Sequence, residues 1–326
     1  MTNIHFIYWL LREALLGLII TWCTIFSSFG QSTRPVISNS AKPAVFLQAG
    51  VAVPNDESAP SFSPDGKTLY LSDSNRICIS KMVNGKWAKP TVAPFSGRWK
   101  DWDSFISPDG KRLFFVSNRP LAGMPQDKPQ KNNQLWYTDH LSGDKWSAPQ
   151  HLDAPVNLDG INDYAPAVSA TGTLCFCSRG REGKKGMGAY YTKWLGDHYD
   201  TPKLLALNGD DDAYDPFIAA DESYIIFSSD HCLYISYHQG DGWTTGEKLS
   251  EQVNNGKSNN SPYVSPDGKM LYYSQEDAPG ILMIPVRIEP RVKNQEPRSK
   301  SQDALDSYFL DSWLLVLGSK KVDVHF

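Results

Sequence analysis

The sequence predicts an all-β fold, a β-propeller of four-stranded blades, on three observations. A Ser-Pro-Asp-Gly-Lys turn recurs three times along the chain and twice more in degraded form. Each copy stands between two short apolar runs of the kind that form strands. The composition supplies what short strands and tight turns need: 12% aromatic residues, 24 Gly and 22 Pro. With 40% hydrophobic residues in 326, the chain is too apolar to stay disordered.

The intact copies are Ser63-Pro64-Asp65-Gly66-Lys67, Ser107-Pro108-Asp109-Gly110-Lys111 and Ser265-Pro266-Asp267-Gly268-Lys269. The degraded ones are Ser169-Ala170-Thr171-Gly172-Thr173 and Ala219-Ala220-Asp221-Glu222-Ser223. Their third residues fall at 65, 109, 171, 221 and 267, which gives steps of 44, 62, 50 and 46. In such a turn Pro presets φ, Asp bonds the local backbone and Gly takes a positive φ. A third strand follows in each unit, and a Gly-containing turn then leads to a fourth, marked by Trp87, Trp146, Tyr199 or Trp243. Pro90, Pro149 and Pro202 stand three residues beyond the first three of these aromatics, as suits an outer edge that must not pair further. Four antiparallel strands at this period make a propeller. Five units are counted, and six stays open.

The fifth unit has no fourth strand after Val286, but Ala41-Lys42-Pro43-Ala44-Val45 is similar to Ala88-Lys89-Pro90-Thr91-Val92 of the first unit. The propeller is therefore expected over residues 41–290, closed by an N-terminal strand that completes the last blade. Residues 1–30, with an apolar run over 14–26 and small residues at Ser28 and Gly30, read as a signal peptide. An uncleaved signal anchor is the alternative, and either implies export to a periplasmic or secreted location. Residues 31–40 read as a linker. Residues 291–326 read as a polar linker and a short apolar tail at 304–317, too short to span a bilayer and expected to dock on the propeller or to meet a partner or membrane surface. No membrane span is expected after signal cleavage.

The Ser-Pro-Asp-Gly-Lys turns, the Pro a few residues upstream and the aromatic strand that follows resemble the Pro-Asp variant of the WD-type propeller repeat. That repeat is found in TolB-type periplasmic proteins and in other exported bacterial proteins. The resemblance implies a propeller, usually six-bladed in the TolB type, and it implies no function, because propellers host many.

The formal charge is −4, from 32 basic and 36 acidic residues, so no general basic surface exists for nucleic acid. Gly-x-Ser-x-Gly, His-Glu-x-x-His and phosphate-loop motifs are absent, and neither the histidines nor Cys175 and Cys177 have metal-ligand spacing. No metal and no cofactor is expected. The cysteines beyond residue 30 are expected to be small buried residues rather than a disulfide scaffold.

In a four-stranded blade the Pro-Asp-Gly turns lie on one face and the loops between second and third strands on the other. That second face carries the long insertions, residues 119–133 and 179–188, which bring Arg119, Arg179 and Arg181 to the rim. The starts of the inner strands add Glu57, Asp101, Asp103, Asp163 and Asp215 near the central channel, with Trp102, Tyr164 and Tyr214 beside them. Carboxylates and rim arginines suit a ligand with several hydroxyls or charges, and the aromatics suit stacking on sugar rings or peptide side chains. Against this, acids at such positions also cap neighbouring amides, and aromatics pack between blades. The first functional reading is a non-catalytic exported propeller binding an envelope protein or a glycan through this face. The alternative is a carbohydrate-active hydrolase or lyase using Asp101, Asp103, Asp163 and Asp215, whose working carboxylates stand roughly 5 to 9.5 Å apart. Oligomeric state is left open.

Overall fold

The computed structural model describes residues 33–38, 40–46, 60–207 and 212–290. Its repeating element is the turn. Ser63 Oγ donates to Asp65 Oδ1 at 2.6 Å, the same oxygen accepts the Lys67 N–H at 3.0 Å, and the Thr68 N–H donates to Ser63 Oγ at 2.9 Å. The same three bonds hold the turns at Ser107 and Ser265. Gly66 has φ 66° and Gly110 73°, the left-handed region that a side chain resists. The degraded turns keep part of this local bonding, with Ser169 Oγ accepting the Thr173 N–H at 3.0 Å and Asp221 Oδ1 the Ser223 N–H at 3.0 Å, and are also bonded to each other. Glu222 accepts the hydroxyls of Ser169, at 2.8 Å, and Thr171, and the Ala170 N–H donates to the Ala220 carbonyl at 2.9 Å. A seam between two blades is added there to the local turn bonds.

The strands pair into five antiparallel blades, the first four running outward in sequence order and the fifth taking its outer strand from the N-terminal part of the chain. Blade 1 is Ser61–Phe62, Thr68–Asp73 and Arg76–Val83, with its outer strand in two pieces, Lys86–Trp87 and Thr91–Val92. Blade 2 is Asp101–Ile106, Arg112–Ser117 and Gln134–Ser142, then Lys145–Trp146 and Gln150–His151. Blade 3 is Asn162–Val168, Leu174–Arg179, Met187–Thr192 and Lys203–Leu204, with Trp194 and Tyr199 bridged ahead of its last strand. Blade 4 is Tyr214–Ile218, Tyr224–Ser229 and Cys232–Gln239, then Gly242–Trp243 and Glu247–Lys248. Blade 5 is Asn259–Val264, Met270–Gln275 and Leu282–Pro290. Pro90 and Pro149 sit where the outer strands break, because Pro has no N–H for the ladder.

The five-blade count and the N-terminal closure both hold. Ala44 and Val45 pair with Met283 and Leu282 on the outer side of blade 5, and the Phe46 N–H donates to the Ile281 carbonyl at 2.7 Å. One expectation is corrected: within the supposed linker 31–40, Thr33–Ile37 is a strand, paired with Val286 to Pro290. Blade 5 therefore carries its outer strand in two pieces, as blades 1, 2 and 4 do.

The second strand of every blade repeats its buried side chains. Leu69, Leu113, Leu174, Ile225 and Leu271 occupy one buried position, and Leu71, Phe115, Phe176, Phe227 and Tyr273 another two residues on. Cys78, Cys175 and Cys177 are buried free thiols in these sheets, and Cys232 is half-buried. No helix among the described residues is long and apolar enough to cross a membrane. Residues 1–30 and 291–326, to which the signal peptide, polar linker and apolar tail were assigned, lie outside the described residues, as does Glu57.

Candidate functional site

Every inner strand from blade 2 to blade 5 is bulged at one repeat position. Trp102 pairs with Val116 and Phe105 with Phe114, so Asp103 and Ser104 together oppose Phe115 alone. The same irregularity falls after Tyr164, Tyr214 and Asn260. The residue that starts it takes a left-handed conformation: Asp103 (φ 48°), Ala165 (46°), Asp215 (50°) and Ser261 (52°). Side chains two apart on a regular strand share a face, and an extra residue breaks that rule. Asp101 is thereby separated from Asp103.

Asp101 goes inward. Its side chain is fully buried, with Oδ1 accepting from Arg119 at 2.7 Å and Ser117 at 2.7 Å, and Oδ2 from Ser96 at 2.8 Å. Arg119 also donates to the Phe95 carbonyl, in the connection from blade 1. Asp163 and Arg181 repeat the arrangement in blade 3 at 3.4 Å, and Arg181 further donates to the Pro155 and Val156 carbonyls. Burial pushes the Asp163 carboxyl up to about 6, opposed by Ser178 and Arg181. Asp101, Asp163, Arg119 and Arg181, expected as ligand contacts, are thus corrected to buried anchors between the blades and their loops.

Asp103 and Asp215 go to the channel. Together with Trp102, Tyr164, Tyr214 and Arg179 they line one cavity of about 800 Å³ on the insertion-bearing face. Asp103 Oδ2 accepts the Ala165 N–H of the next blade at 3.3 Å, and Asp215 Oδ2 accepts the Ser261 N–H at 3.1 Å. Each carboxylate therefore both faces the cavity and ties two blades, combining the two roles weighed from sequence. Trp102 and Tyr164 are half-buried and also pack on the core. Burial, and next the charge of Asp215, push the Tyr214 phenol up, so it remains a hydroxyl donor at neutral pH. Arg179 is exposed and forms no ion pair among the described residues.

The cavity also takes in Ser72, Asn75, Met187 and Asn260, which sequence reasoning did not single out, and Asp212, which it read as part of a solvated loop. A signal existed for one of them: Asn260 holds the repeat position of Trp102, Tyr164 and Tyr214. Asp212 comes from the acidic run at 210–212, whose first two members lie outside the described residues.

No protein-family model matches the chain, and no curated protein matches it. Solved structures are similar in fold. A thermostable family-43 glycoside hydrolase matches with TM-score 0.50 at 12% identity, over 77% of this chain and 98% of its own. A TolB-assigned protein from Agrobacterium tumefaciens matches at 0.49 and 18% identity, over 74% and 80%. A gluconolactonase from Xanthomonas campestris matches at 0.44 and 14%, over 78% and 98%. Identities this low bear on fold alone. The chain is a five-bladed β-propeller.

Proposed function

We propose that the protein is an exported binding propeller whose insertion-bearing cavity takes a polyhydroxylated ligand, a glycan of the cell envelope. The observation that carries this reading is the convergence of Asp103, Asp215, Trp102, Tyr164, Tyr214 and Arg179 on one polar cavity from three blades. Carboxylates accept sugar hydroxyls, aromatic faces stack on the apolar faces of pyranose rings, and a guanidinium donates in a fork. Binding is favoured over catalysis because one oxygen of each carboxylate is already committed to the backbone of the next blade. Isothermal titration of the purified protein against envelope oligosaccharides tests it. Trp102→Ala combined with Tyr214→Ala is expected to weaken binding at least tenfold, and unchanged affinity in that variant would sink the assignment.

A second reading is supported by a specific feature: Asp103 and Asp215 reach the same cavity from blades 2 and 4, as an acid and a nucleophile or base would. It requires turnover of a glycoside or polysaccharide that both Asp103→Asn and Asp215→Asn abolish. Binding without turnover removes it.

A further inference from the structure

The opposite mouth of the channel, on the face of the Pro-Asp-Gly turns, holds a second cavity of about 340 Å³. Its floor is aromatic. Phe105, Phe217 and Tyr263 are in mutual contact, with ring centroids 6.2, 5.8 and 5.3 Å apart. On the far side of this layer a space of only about 30 Å³ leads toward Asp103 and Asp215. The rings divide the channel, so the two mouths are separate sites.

The cavity arises where the repeat is broken. Pro64, Pro108 and Pro266 line its rim in the intact turns, whereas the degraded turns present Ala170 and Ala220 at that position, and Ala220 is the one of the two that lines it. Below the turn, blade 3 has Ala167 where blades 2, 4 and 5 have Phe105, Phe217 and Tyr263. Ser61 of blade 1 stands at the same register as Ala167, so three blades put a ring into the floor, and Ala220 leaves the rim open at blade 4 where the intact turns place a proline. The seam formed by Glu222 with Ser169 and Thr171 holds blades 3 and 4 together without filling the space. Among the described residues lining the cavity, Asp221 alone is charged, and it is exposed at the mouth. Its Oδ1 is occupied by the N–H and hydroxyl of Ser223, which fixes the carboxylate in place.

We propose that this turn-face cavity is a binding site for a small amphipathic amine, an apolar body seated on the Phe105, Phe217 and Tyr263 floor with its cationic group at Asp221. The volume lies within the roughly 300–1,000 Å³ of small-molecule sites, and the apolar wall with one placed charge is what orients such a ligand. The Asp221 carboxylate selects a cation over an anion at the mouth, while the ring floor takes the apolar body. The site does not depend on the glycan reading of the other face.

The test titrates the full protein with octyltrimethylammonium and octanoate, both below micelle formation, by calorimetry. The ammonium is expected to bind at least fivefold tighter than the carboxylate. Asp221→Asn should erase that preference while keeping apolar binding, and Ala220→Trp, at an exposed turn position, should weaken both probes at least tenfold with an unchanged melting temperature. Trp102→Ala, on the other face, should leave both affinities as they are. Equal binding of the two probes, or binding that survives Ala220→Trp, would overturn the site. If only peptides carrying a basic-apolar side chain bind, the cavity is a protein anchor and the small-ligand proposal falls.

Discussion

The Tyr263 hydroxyl accepts the Phe62 N–H at 3.2 Å and donates to the Phe62 carbonyl at 3.3 Å, joining the last blade to the first across 201 positions of sequence. Burial pushes this phenol up to about 12, so it keeps the proton that lets one oxygen serve both bonds. The N-terminal pairing closes the outside of the ring, and this pair closes the inside.

Tyr263→Phe is therefore expected to cost about 1–3 kcal/mol, because a buried backbone N–H and C=O lose their shared partner while the ring itself still packs. Urea unfolding measures the loss. A variant as stable as the parent would show that the bond contributes nothing to closure.

The outer closure depends on Phe46, which lies edge-on to Phe62 at 6.0 Å, Trp87 at 6.3 Å and Tyr272 at 5.1 Å. Phe46→Ala should destabilise by about 3–5 kcal/mol. Removing residues 31–48 altogether should also leave Leu282–Pro290 as a bare edge, with aggregation on warming. Light scattering during a thermal ramp distinguishes the two: the point variant is expected to melt early but cleanly, and the truncation to aggregate. A truncated protein that stays monomeric through its melt would mean the N-terminal strand is dispensable.

Five blades and their closure were legible because the information is local. A Ser-Pro-Asp-Gly-Lys turn specifies its own bonds, and Ala41 to Val45 repeats a pattern present elsewhere in the chain. Thr33–Ile37 was not legible, since its partner lies some 250 residues away and nothing in Thr-Arg-Pro-Val-Ile marks the pairing. The site was read in part for a similar reason. Asp101 and Asp103 look alike in sequence, and only the bulge between Trp102 and Phe105 sends one to a buried arginine and the other to the cavity. The bulge residues are Asp, Ala, Asp and Ser, so no residue type announces them, although Pro166, Pro216 and Pro262 follow three of the four.

That division predicts opposite outcomes for two arginines of the same face. Arg119→Ala leaves Asp101 buried without its cation and should cost about 3–5 kcal/mol, whereas Arg179→Ala, at an exposed residue with no ion pair among the described residues, should change stability by less than about 0.5 kcal/mol. Ligand affinity should follow the reverse order among variants that remain folded, with Arg179→Ala weakening glycan binding. A stable Arg119→Ala protein that has lost binding would return Arg119 to the ligand surface.

Two sets of carboxyls give the stability–pH curve opposing slopes. Asp65 and Asp267 are held below the usual carboxyl range, chiefly by the Ser63 and Ser265 hydroxyls, so the stability they contribute is complete above pH about 4 and is lost as pH falls through their folded values. Asp163 is raised by burial to about 6, so between pH about 4 and 6 the folded state holds its proton more tightly than the unfolded chain does. Its contribution is therefore greatest at the acid end of that window and declines as pH rises to 6. Asp163→Asn keeps Arg181 bonded to the Pro155 and Val156 carbonyls and should flatten the curve between pH 4 and 6. Asp65→Asn with Asp267→Asn should instead soften the fall below pH 4. Urea midpoints measured from pH 3 to 8 separate the two effects, and a Asp163→Asn curve parallel to the parent's across pH 4 to 6 would mean that this carboxyl titrates like an exposed one.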